Sequence, residues 1–298
     1  MLINAAICNF ENNGGGDRAL WQRMHDKLAS LDLHLLLRQE VWNAQDNGNE
    51  LADAAEAVLG MAGLIGPECC TALYHDPDLF TPVSEYPKTG PVWALPPTVC
   101  SFQLAGTAPG AAPLIVGSYH LNYCSTTTRL AEAEWLTKWN DKWVKDGDRY
   151  VHYPALLGGD NNSYPLVGTP GDPALPVLEE IRDEPHRSHR SYLGADGVRR
   201  MDDRPDDTLR TAGLQDVARH LVAATGDTSA VAPTVDACDT HGPKARIDRI
   251  YASKQLLPAV REVEVVDMKG LSDHHTVVVR LDRETLAEIL NHPLTRAA

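Results

Sequence analysis

Polar side chains that can do chemistry stand at or beside the ends of apolar runs along most of the chain. They are Asn9, Glu11, Glu40, His120, Asp160, Asn162, Asp248, Asp273 and His274. Because a rigid scaffold presents functional groups at strand ends, these residues can converge although the chain separates them. Carboxylate and amide oxygens bind divalent cations, and histidine exchanges protons near neutral pH. The alternative is that each Asp or Asn is a turn or cap residue and each His a surface residue.

The composition is typical of a globular protein, and the net charge restricts how the protein can bind polyanions. The 298 residues are 43% hydrophobic and 23% charged, so the chain can bury a large core. A formal net charge of −14 argues against a protein that holds nucleic acid through a broad basic face, since Lys and Arg supply that affinity. The charge does not exclude an enzyme whose carboxylates hold metal ions that in turn bind phosphate.

No sequence feature indicates a membrane or secreted protein. No window approaches the ~18 consecutive apolar residues of a membrane helix, and the N-terminus lacks the basic region of a secretory signal. The six cysteines are scattered without a CxxC pair, which favours reduced structural thiols over zinc ligands or disulfides. We expect a cytoplasmic protein without membrane contact and without an obligate protein partner.

Strands and helices alternate at the start of the chain. Residues 2–8 predict a strand, Asp17 can cap an amphipathic helix over 18–31, and the run 33–41 predicts a buried strand. A second helix is predicted to reach about Leu59. The chain therefore opens with a β-α-β-α order.

The middle of the chain contains short β-rich runs and then a tryptophan-bearing helix. The runs from 69 to about 121 are separated by Pro and Gly, which predicts strands joined by irregular loops. A long helix is predicted over 128–145, because Trp135, Trp139 and Trp143 recur at helical spacing. This stripe is either a base-stacking or ligand surface, or a helix face packed on a sheet.

The last part of the chain combines a long excursion with three closing strands. Residues 164–206 are rich in Pro, Gly, Arg and Asp and predict an excursion without a core of its own. A helix near 207–224 precedes the strands ARIDRIYAS, VREVEVVD and HTVVVRL. Strands in two batches, each with helices, predict an α/β (α+β) four-layer sandwich: two mixed β-sheets face to face with helices outside. We expect one domain over 1–281 and a helical tail over 282–298, packed on the protein itself or on a partner.

The polar residues at the strand ends stand in six short motifs: CNFEN, LLRQEV, GSYHLN, GGDNNS, RIDRIYAS and LSDHH. In this order and spacing the motifs resemble those of the endonuclease/exonuclease/phosphatase superfamily, which has the DNase I-like fold. The resemblance runs from residue 9 to 274, although the stretch between Glu40 and His120 and the loop after Asn162 match no motif. It implies a DNase I-like fold and hydrolysis of phosphoesters with one or two divalent ions, Mg²⁺ or Mn²⁺.

The resemblance also implies roles for individual residues. The metal ligands would be Asn9, Glu11, Glu40 and Asp273. The catalytic residues would be His120, Asp160, Asn162, Asp248 and His274. In this scheme His274 contacts the scissile phosphate and Asp248 fixes its tautomer, while Asp160 positions or deprotonates the attacking water. Asn162 would donate to a phosphate oxygen. His120 is similar to the histidine of the DNase-like, sphingomyelinase-like and inositol-phosphatase-like branches, whereas abasic-site endonucleases carry Tyr there.

Three residues depart from the family pattern without removing a catalytic side chain. Asn161 replaces an aromatic inside GDxN, Arg249 replaces a frequent Tyr, and Thr276 replaces a frequent Pro. The departures leave the subfamily open. We expect Asn161 to reshape the floor of the pocket.

The loop after the GDxN motif concentrates cationic and aromatic residues. Four of its arginines are predicted to bind substrate: Arg187, Arg190, Arg199 and Arg200. Arginine suits bidentate recognition of phosphate. Interleaved Asp and Glu support the alternative of a solvated, salt-bridged loop.

These observations leave three functional hypotheses. The first is a metal-dependent phosphodiesterase, namely a nuclease that cleaves DNA or RNA as an endonuclease or an exonuclease. The second is a phosphatase or phosphodiesterase that acts on a small phosphorylated metabolite or lipid head group. The third is a catalytically silent binding protein, which the complete set of carboxylates and histidines disfavours. The expected partner is therefore a nucleic acid or a small phosphoester, bound as substrate.

Overall fold

The computed structural model describes residues 1–298. The strands are β1 (Leu2–Asn9), β2 (Leu35–Gln39), β3 (Ala62–Ile65), β4 (Thr71–His75), β5 (Phe80–Glu85), β6 (Thr98–Leu104), β7 (Leu114–His120), β8 (Trp143–Asp146), β9 (Arg149–His152), β10 (Ala155–Asp160), β11 (Ser191–Leu193), β12 (Arg199–Met201), β13 (Leu214–Asp216), β14 (Asp248–Ser253), β15 (Val260–Val266), β16 (Thr276–Asp282) and β17 (Thr295–Ala297). The helices are α1 (Arg18–Ala29), α2 (Asp46–Leu59), α3 (Thr126–Leu136), α4 (Glu184–His189), α5 (Arg204–Thr211), α6 (Val217–Thr225) and α7 (Arg283–Asn291).

Two six-stranded mixed sheets form the centre of the fold. The first has the order β15-β16-β1-β2-β4-β3 and the second the order β13-β14-β10-β7-β6-β5. Helices α1 and α2 pack on the outer face of the first sheet, and α3 and α5 pack on the outer face of the second. The predicted four-layer sandwich is confirmed.

Alternation along the strands explains the layers. In β1, Ile3, Ala5 and Ile7 join the 31-residue core between the sheets, while Ala6 and Cys8 pack under the helices of the first sheet. Both faces of the strand are therefore apolar, as a strand covered on both sides requires.

Glycine allows the two sheets to approach each other directly below the site. A Cβ on Gly158 of β10 would lie 2.5 Å from Ile7 Cγ2, on the opposite sheet. A Cβ on the next residue, Gly159, would lie 1.7 Å from the Tyr119 carbonyl oxygen. Gly158 thus permits close packing between the two sheets, and Gly159 permits the close approach of the neighbouring strand β7.

The long helix predicted over 128–145 is wrong in its second half. Helix α3 ends at Leu136, a single 3-10 turn follows through Trp139, and Trp143 lies in β8. The three tryptophans therefore form no common stripe: Trp139 is buried against the second sheet, whereas Trp135 is 37% exposed. Trp143 is placed in a strand because β8 pairs with β9, so tertiary pairing overrides the helical spacing.

The predicted helix near 207–224 is also interrupted. It divides into α5, β13 and α6, because Gly213 has φ +88° and turns the chain into β13, which pairs with β14. Asp216 then caps α6 by accepting from the backbone N–H of Ala218.

The excursion over 164–206 and the tail over 282–298 both pack on the protein itself. Residues of the excursion share a small core with the following loop through Ile181, Met201 and Ile247. In the tail, Leu286 and Leu290 of α7 are fully buried in the core between the sheets, and β17 pairs with β9. Every helix in the structure is too short or too polar to cross a membrane.

Candidate active site

A cleft of about 400 Å³ opens at one end of both sheets. It contains most of the polar residues singled out in the sequence: Asn9, Glu11, Glu40, His120, Asp160, Asn162, Asp273 and His274. Parallel pairing explains their convergence, because β1 and β2 end together at Asn9 and Gln39, and β7 and β10 end together at His120 and Asp160.

Cross-sheet hydrogen bonds hold the two strand ends in register. The buried Gln39 amide donates to Ser118 Oγ over 2.9 Å, and Ser118 Oγ donates to the Arg38 carbonyl over 2.7 Å. Glu40 directly follows Gln39, and its backbone has φ 57°. Such a left-handed conformation is unfavourable for Glu, and its presence at the site is typical of a functionally constrained residue.

Asp160 is the centre of the polar cluster. Its Oδ2 lies 3.3 Å from Asn9 Nδ2, 3.4 Å from His120 Nε2 and 3.9 Å from His274 Nε2. Its Oδ1 accepts from the backbone N–H of Asn162 over 2.7 Å. Burial favours a protonated Asp160, but the hydrogen bond from His120 and the charge of His274 outweigh it and hold the pKa of this carboxyl below its usual range. Asp160 is therefore an ionised acceptor.

His274 forms a hydrogen-bonded pair with Asp248. Its Nδ1 lies 2.9 Å from Asp248 Oδ2, and Asp248 is 2% exposed. Burial opposes a charge on the imidazole, but Asp248, Asp160 and Asp273 together raise the pKa of His274 to about 10. Because Asp248 accepts at Nδ1, Nε2 is left facing Asp160 and the cleft.

His120 is the second histidine of the cluster. Burial lowers its pKa, but Asp160 and Glu40 raise it by a larger amount, so the pKa lies above its ordinary value. Its Nδ1 is buried without a hydrogen-bond partner, 4.0 Å from Glu40 Oε1. This orphaned nitrogen faces the carboxylate side of the cleft.

Three carboxylates lie on that side without a Lys or Arg partner: Glu11, Glu40 and Asp273. Asp273 foremost, then burial and Glu40, raise the pKa of Glu11. Glu40 Oε2 accepts only from the backbone N–H of Asn12, over 2.7 Å. The charge of His274 opposes the rise in the pKa of Glu11 but does not cancel it, so the repulsion among these carboxylates is only partly compensated.

The donor set fits a divalent cation. Besides the three carboxylates, Asn9 Oδ1 is buried without a hydrogen-bond partner. Hard oxygen donors of this kind suit Mg²⁺ or Mn²⁺. One ligand atom each from Asp160, Asp248 and His274 also lie within 4.8 Å of one another, but His274 Nδ1 is engaged by Asp248. The carboxylate side is therefore the better place for a cation.

The four arginines predicted to bind substrate have different environments. Arg190 lies in the cleft. Arg187 Nε donates to the Ile181 carbonyl, Arg199 Nη1 donates to Ser191 Oγ, and Arg200 Nη1 donates to Asp196 over 2.8 Å. The structure does not bring these three to the cleft.

The cleft also contains Asn12 of the CNFEN motif and His186 of α4. Sequence reasoning missed four further residues of the cleft: Trp42, Leu95, Tyr123 and His241. They lie on loops, where no motif or periodicity identifies them. The expectation for Asn161 is wrong, because this residue is fully buried and turned away from the cleft: its Oδ1 accepts from the Tyr119 hydroxyl over 3.1 Å. Arg249 is likewise buried, with Nε donating to the Tyr251 hydroxyl.

Comparisons with known proteins identify the fold. No family model and no curated protein sequence matches the chain. Solved structures do match along nearly the whole chain. One is an endonuclease/exonuclease/phosphatase family protein from Bacteroides thetaiotaomicron, with TM-score 0.59 and 17% identity over 95% of this chain and 96% of that one.

Two further structures with the same fold carry different activities in their names. An AP endonuclease from Archaeoglobus fulgidus has TM-score 0.60 and 15% identity over 94% of this chain and 99% of that one. A mannosyl-6-phosphatase from Bacteroides thetaiotaomicron has TM-score 0.57 and 16% identity over 93% of this chain and 98% of that one. The chain therefore has the DNase I-like fold that its motifs predicted, and the fold itself is compatible with more than one phosphoester substrate.

Proposed function

We propose that the protein is a divalent-metal-dependent phosphodiesterase, most simply a nuclease that hydrolyses DNA or RNA. One observation carries the proposal: a buried Asp160 is surrounded by Asn9, His120 and His274 within 4 Å, beside unpaired carboxylates. This arrangement joins an anionic acceptor to proton donors in one cleft, as in-line attack of water on phosphorus requires.

Asn9, Glu11, Glu40 and Asp273 would hold one or two Mg²⁺ or Mn²⁺ ions. A bound ion acts as a Lewis acid and template for the phosphoryl oxygens. The chain's part is to supply oxygen donors on rigid elements. Asn9 lies at the end of β1, and the hydrogen bond from Asn12 orients the Glu40 carboxylate.

His274 would donate a hydrogen bond from Nε2 to the scissile phosphate. Asp248 keeps its proton at Nδ1 and stabilises the imidazolium, so that the charge is present before substrate binds. His120, whose Nε2 also faces Asp160 Oδ2, would contact phosphate or assist the leaving group through that nitrogen.

Asp160 would position the attacking water. Its carboxylate already accepts from Asn162 and faces three donors, so it is oriented without a Lys or Arg partner. Asn162 has φ 48°, and its Nδ2 donates to the Leu121 carbonyl over 2.9 Å. This bond fixes the amide at the cleft, where it can donate to a phosphate oxygen.

A phosphatase or diesterase for a small metabolite or lipid head group is the second candidate. The limited size of the cleft, about 400 Å³, favours it over a long nucleic-acid groove. We also infer a cytoplasmic location, which the six free cysteines support.

The proposal is tested by hydrolysis assays on single- and double-stranded DNA, RNA and small phosphoesters with Mg²⁺, Mn²⁺ or EDTA. Glu40→Ala and His274→Ala should lower the rate at least ~10³-fold. Glu134→Ala and His292→Ala change exposed residues outside these motifs and serve as matched controls. Turnover of small phosphomonoesters alone would select the second candidate. Unchanged turnover in both site variants would refute the assigned site.

A further inference from the structure

Arg190 has an environment unlike that of any other buried arginine. The residue is only 7% exposed, yet its guanidinium forms no hydrogen bond and no ion pair, and Nη1 is buried without a partner. The other buried arginines all have side-chain or backbone partners: Arg38, Arg129, Arg219, Arg246 and Arg249. A buried, unpaired cation destabilises the folded chain, so its presence needs a ligand or another compensation.

The lack of a partner is not due to a shortage of acids. Asp202, which follows in the same excursion, accepts from Arg129 over 3.0 Å and from Arg204 over 2.7 Å. Arg190 reaches neither this carboxylate nor Asp183, which accepts from His186 instead. The surrounding structure thus leaves this guanidinium unpaired and next to open space.

That open space is the cleft and the cavity beside it. Arg190 lies on both, as do His241, Asp273 and His274, and the second cavity has a volume of about 240 Å³. The guanidinium therefore stands at the boundary between the proposed reaction centre and a pocket large enough for a sugar-sized group.

Two imidazoles accompany the guanidinium. The His186 and His241 rings lie 4.4 Å apart, edge to face, and both belong to the cleft. Burial first, then the charges of Arg190 and His186, lower the pKa of His241 to about 4. His241 is therefore neutral at pH 7 and can donate one hydrogen bond without adding charge.

We propose that Arg190, assisted by His241 and His186, binds a second phosphate group of the substrate, next to the phosphate that is cleaved. The inference rests on the proposed function. It identifies the substrate class as compounds with two phosphate groups about one sugar apart. Such a pair occurs in a nucleic-acid strand and in a small bisphosphate, and arginine matches it through its planar fork of donors.

The charges around the subsite are compatible with an anion. Asp236, which also borders the second cavity, is neutralised by Lys244 at 2.9 Å. Asp273 is the remaining acid there, and it belongs to the proposed metal side of the cleft. A phosphate beside Arg190 would thus meet one unpaired cation, the neutral imidazole of His241 and the ring of His186.

Calorimetric binding of three probes to the whole chain with Mg²⁺ tests the subsite. The probes are thymidine 3′,5′-bisphosphate, fructose 1,6-bisphosphate and thymidine 5′-monophosphate. Arg190→Gln should weaken binding of the thymidine bisphosphate at least 10-fold and of the monophosphate less than 3-fold. Arg210→Gln removes an exposed arginine of α5 and should change neither. If Arg190→Gln weakens binding of fructose 1,6-bisphosphate to the same extent, two phosphate groups suffice for recognition. If it does not, the subsite requires a nucleotide.

Thermal unfolding supplies an independent test. Because Arg190 is unpaired, Arg190→Met should raise the Tm, by about 1 to 3 °C, while it abolishes the preference for the bisphosphate. Arg190→Lys keeps the charge without the fork and should restore binding only in part. Equal weakening of all probes, unchanged binding, or a lower Tm in Arg190→Met would overturn the proposal. Because binding is measured without turnover, this test can succeed or fail independently of the hydrolysis assays.

Discussion

Two regions rich in charge lie next to each other and differ in how the charges are paired. At the strand ends, Glu11, Glu40 and Asp273 have no Lys or Arg partner and face the cleft. Below the excursion, Arg219 Nε and Arg246 Nε contact the same carboxylate, Asp172, at 2.8 and 2.7 Å. We call this second region the arginine–aspartate cluster; its members are Asp172, Asp206, Asp216, Arg219 and Arg246.

The difference separates function from stability. In the arginine–aspartate cluster each buried charge has an oppositely charged partner, so the cluster ties Asp172 of the excursion to α6 and to the segment before β14 and leaves no unpaired charge for a ligand. In the cleft the folded chain leaves repulsion uncompensated, which destabilises the free protein and favours binding of a cation or phosphate. Substitutions in the cleft should therefore change mainly the hydrolysis rate. Substitutions in the arginine–aspartate cluster should change mainly the free energy of unfolding.

The largest effect should come from the buried partner of His274. Asp248→Asn keeps the size of the side chain but removes the charge that stabilises the imidazolium, and should lower the hydrolysis rate about 10³- to 10⁴-fold. Circular dichroism should show that the variant still folds. Loss of the fold in Asp248→Asn, or a hydrolysis rate within 10-fold of that of the unsubstituted protein, would contradict the assignment of function to the cleft and of stability to the arginine–aspartate cluster.

Breaking the arginine–aspartate cluster should lower stability and leave the hydrolysis rate nearly unchanged. Arg219→Met leaves Asp206 and Asp172 buried without this partner and should lower the free energy of unfolding by about 3 to 5 kcal/mol. Urea unfolding measures the loss, and the rate per folded molecule should stay within about 3-fold. Arg210→Met, in the exposed part of α5, is the control and should be neutral.

Metal addition should stabilise the cleft region only. Mg²⁺ at 100 times its Kd should raise the Tm by about 5 °C, because it binds the folded state and relieves repulsion among the carboxylates. Glu40→Ala should lose most of this shift, whereas Glu134→Ala should retain it. A shift that persists in Glu40→Ala would place the cation elsewhere.

The smallest effect should come from the exposed part of the excursion. Arg200 pairs only with Asp196 and a backbone carbonyl near the surface, where water screens the interaction. Arg200→Gln should change the Tm by less than about 1 °C and leave bisphosphate binding unchanged. A loss of binding comparable with that of Arg190→Gln would show that the loop contacts substrate more widely than its described contacts indicate.

Strand ends were predictable because two local signals coincide there. An apolar run such as LLLRQ predicts a buried strand, and a carboxylate directly after it, here Glu40, stands where the strand leaves the core. The same reasoning identified His120 and Asp160. The fold confirms that these strand ends meet, although the role of each side chain stays a prediction.

Loops and interrupted helices were not predictable in this way. The tryptophan spacing favours a helix through Trp143, but pairing of β8 with β9 decides otherwise. Four arginines of the excursion have similar sequence surroundings, and only Arg190 reaches the cleft. Spacing along the chain carries no information about which carboxylate a flexible side chain will meet in space.

The sequence by itself determined the class of fold and the set of residues at the sheet edge, because strand periodicity and strand-end chemistry are local properties. The tertiary structure decided the electrostatics: which histidine faces Asp248, which carboxylates stay unpaired, and that His241 from a distant loop stands beside Arg190. Burial and pairing depend on contacts between remote segments, and they set the pKa values of Asp160 and His274 and decide which charged groups of the cleft stay unpaired.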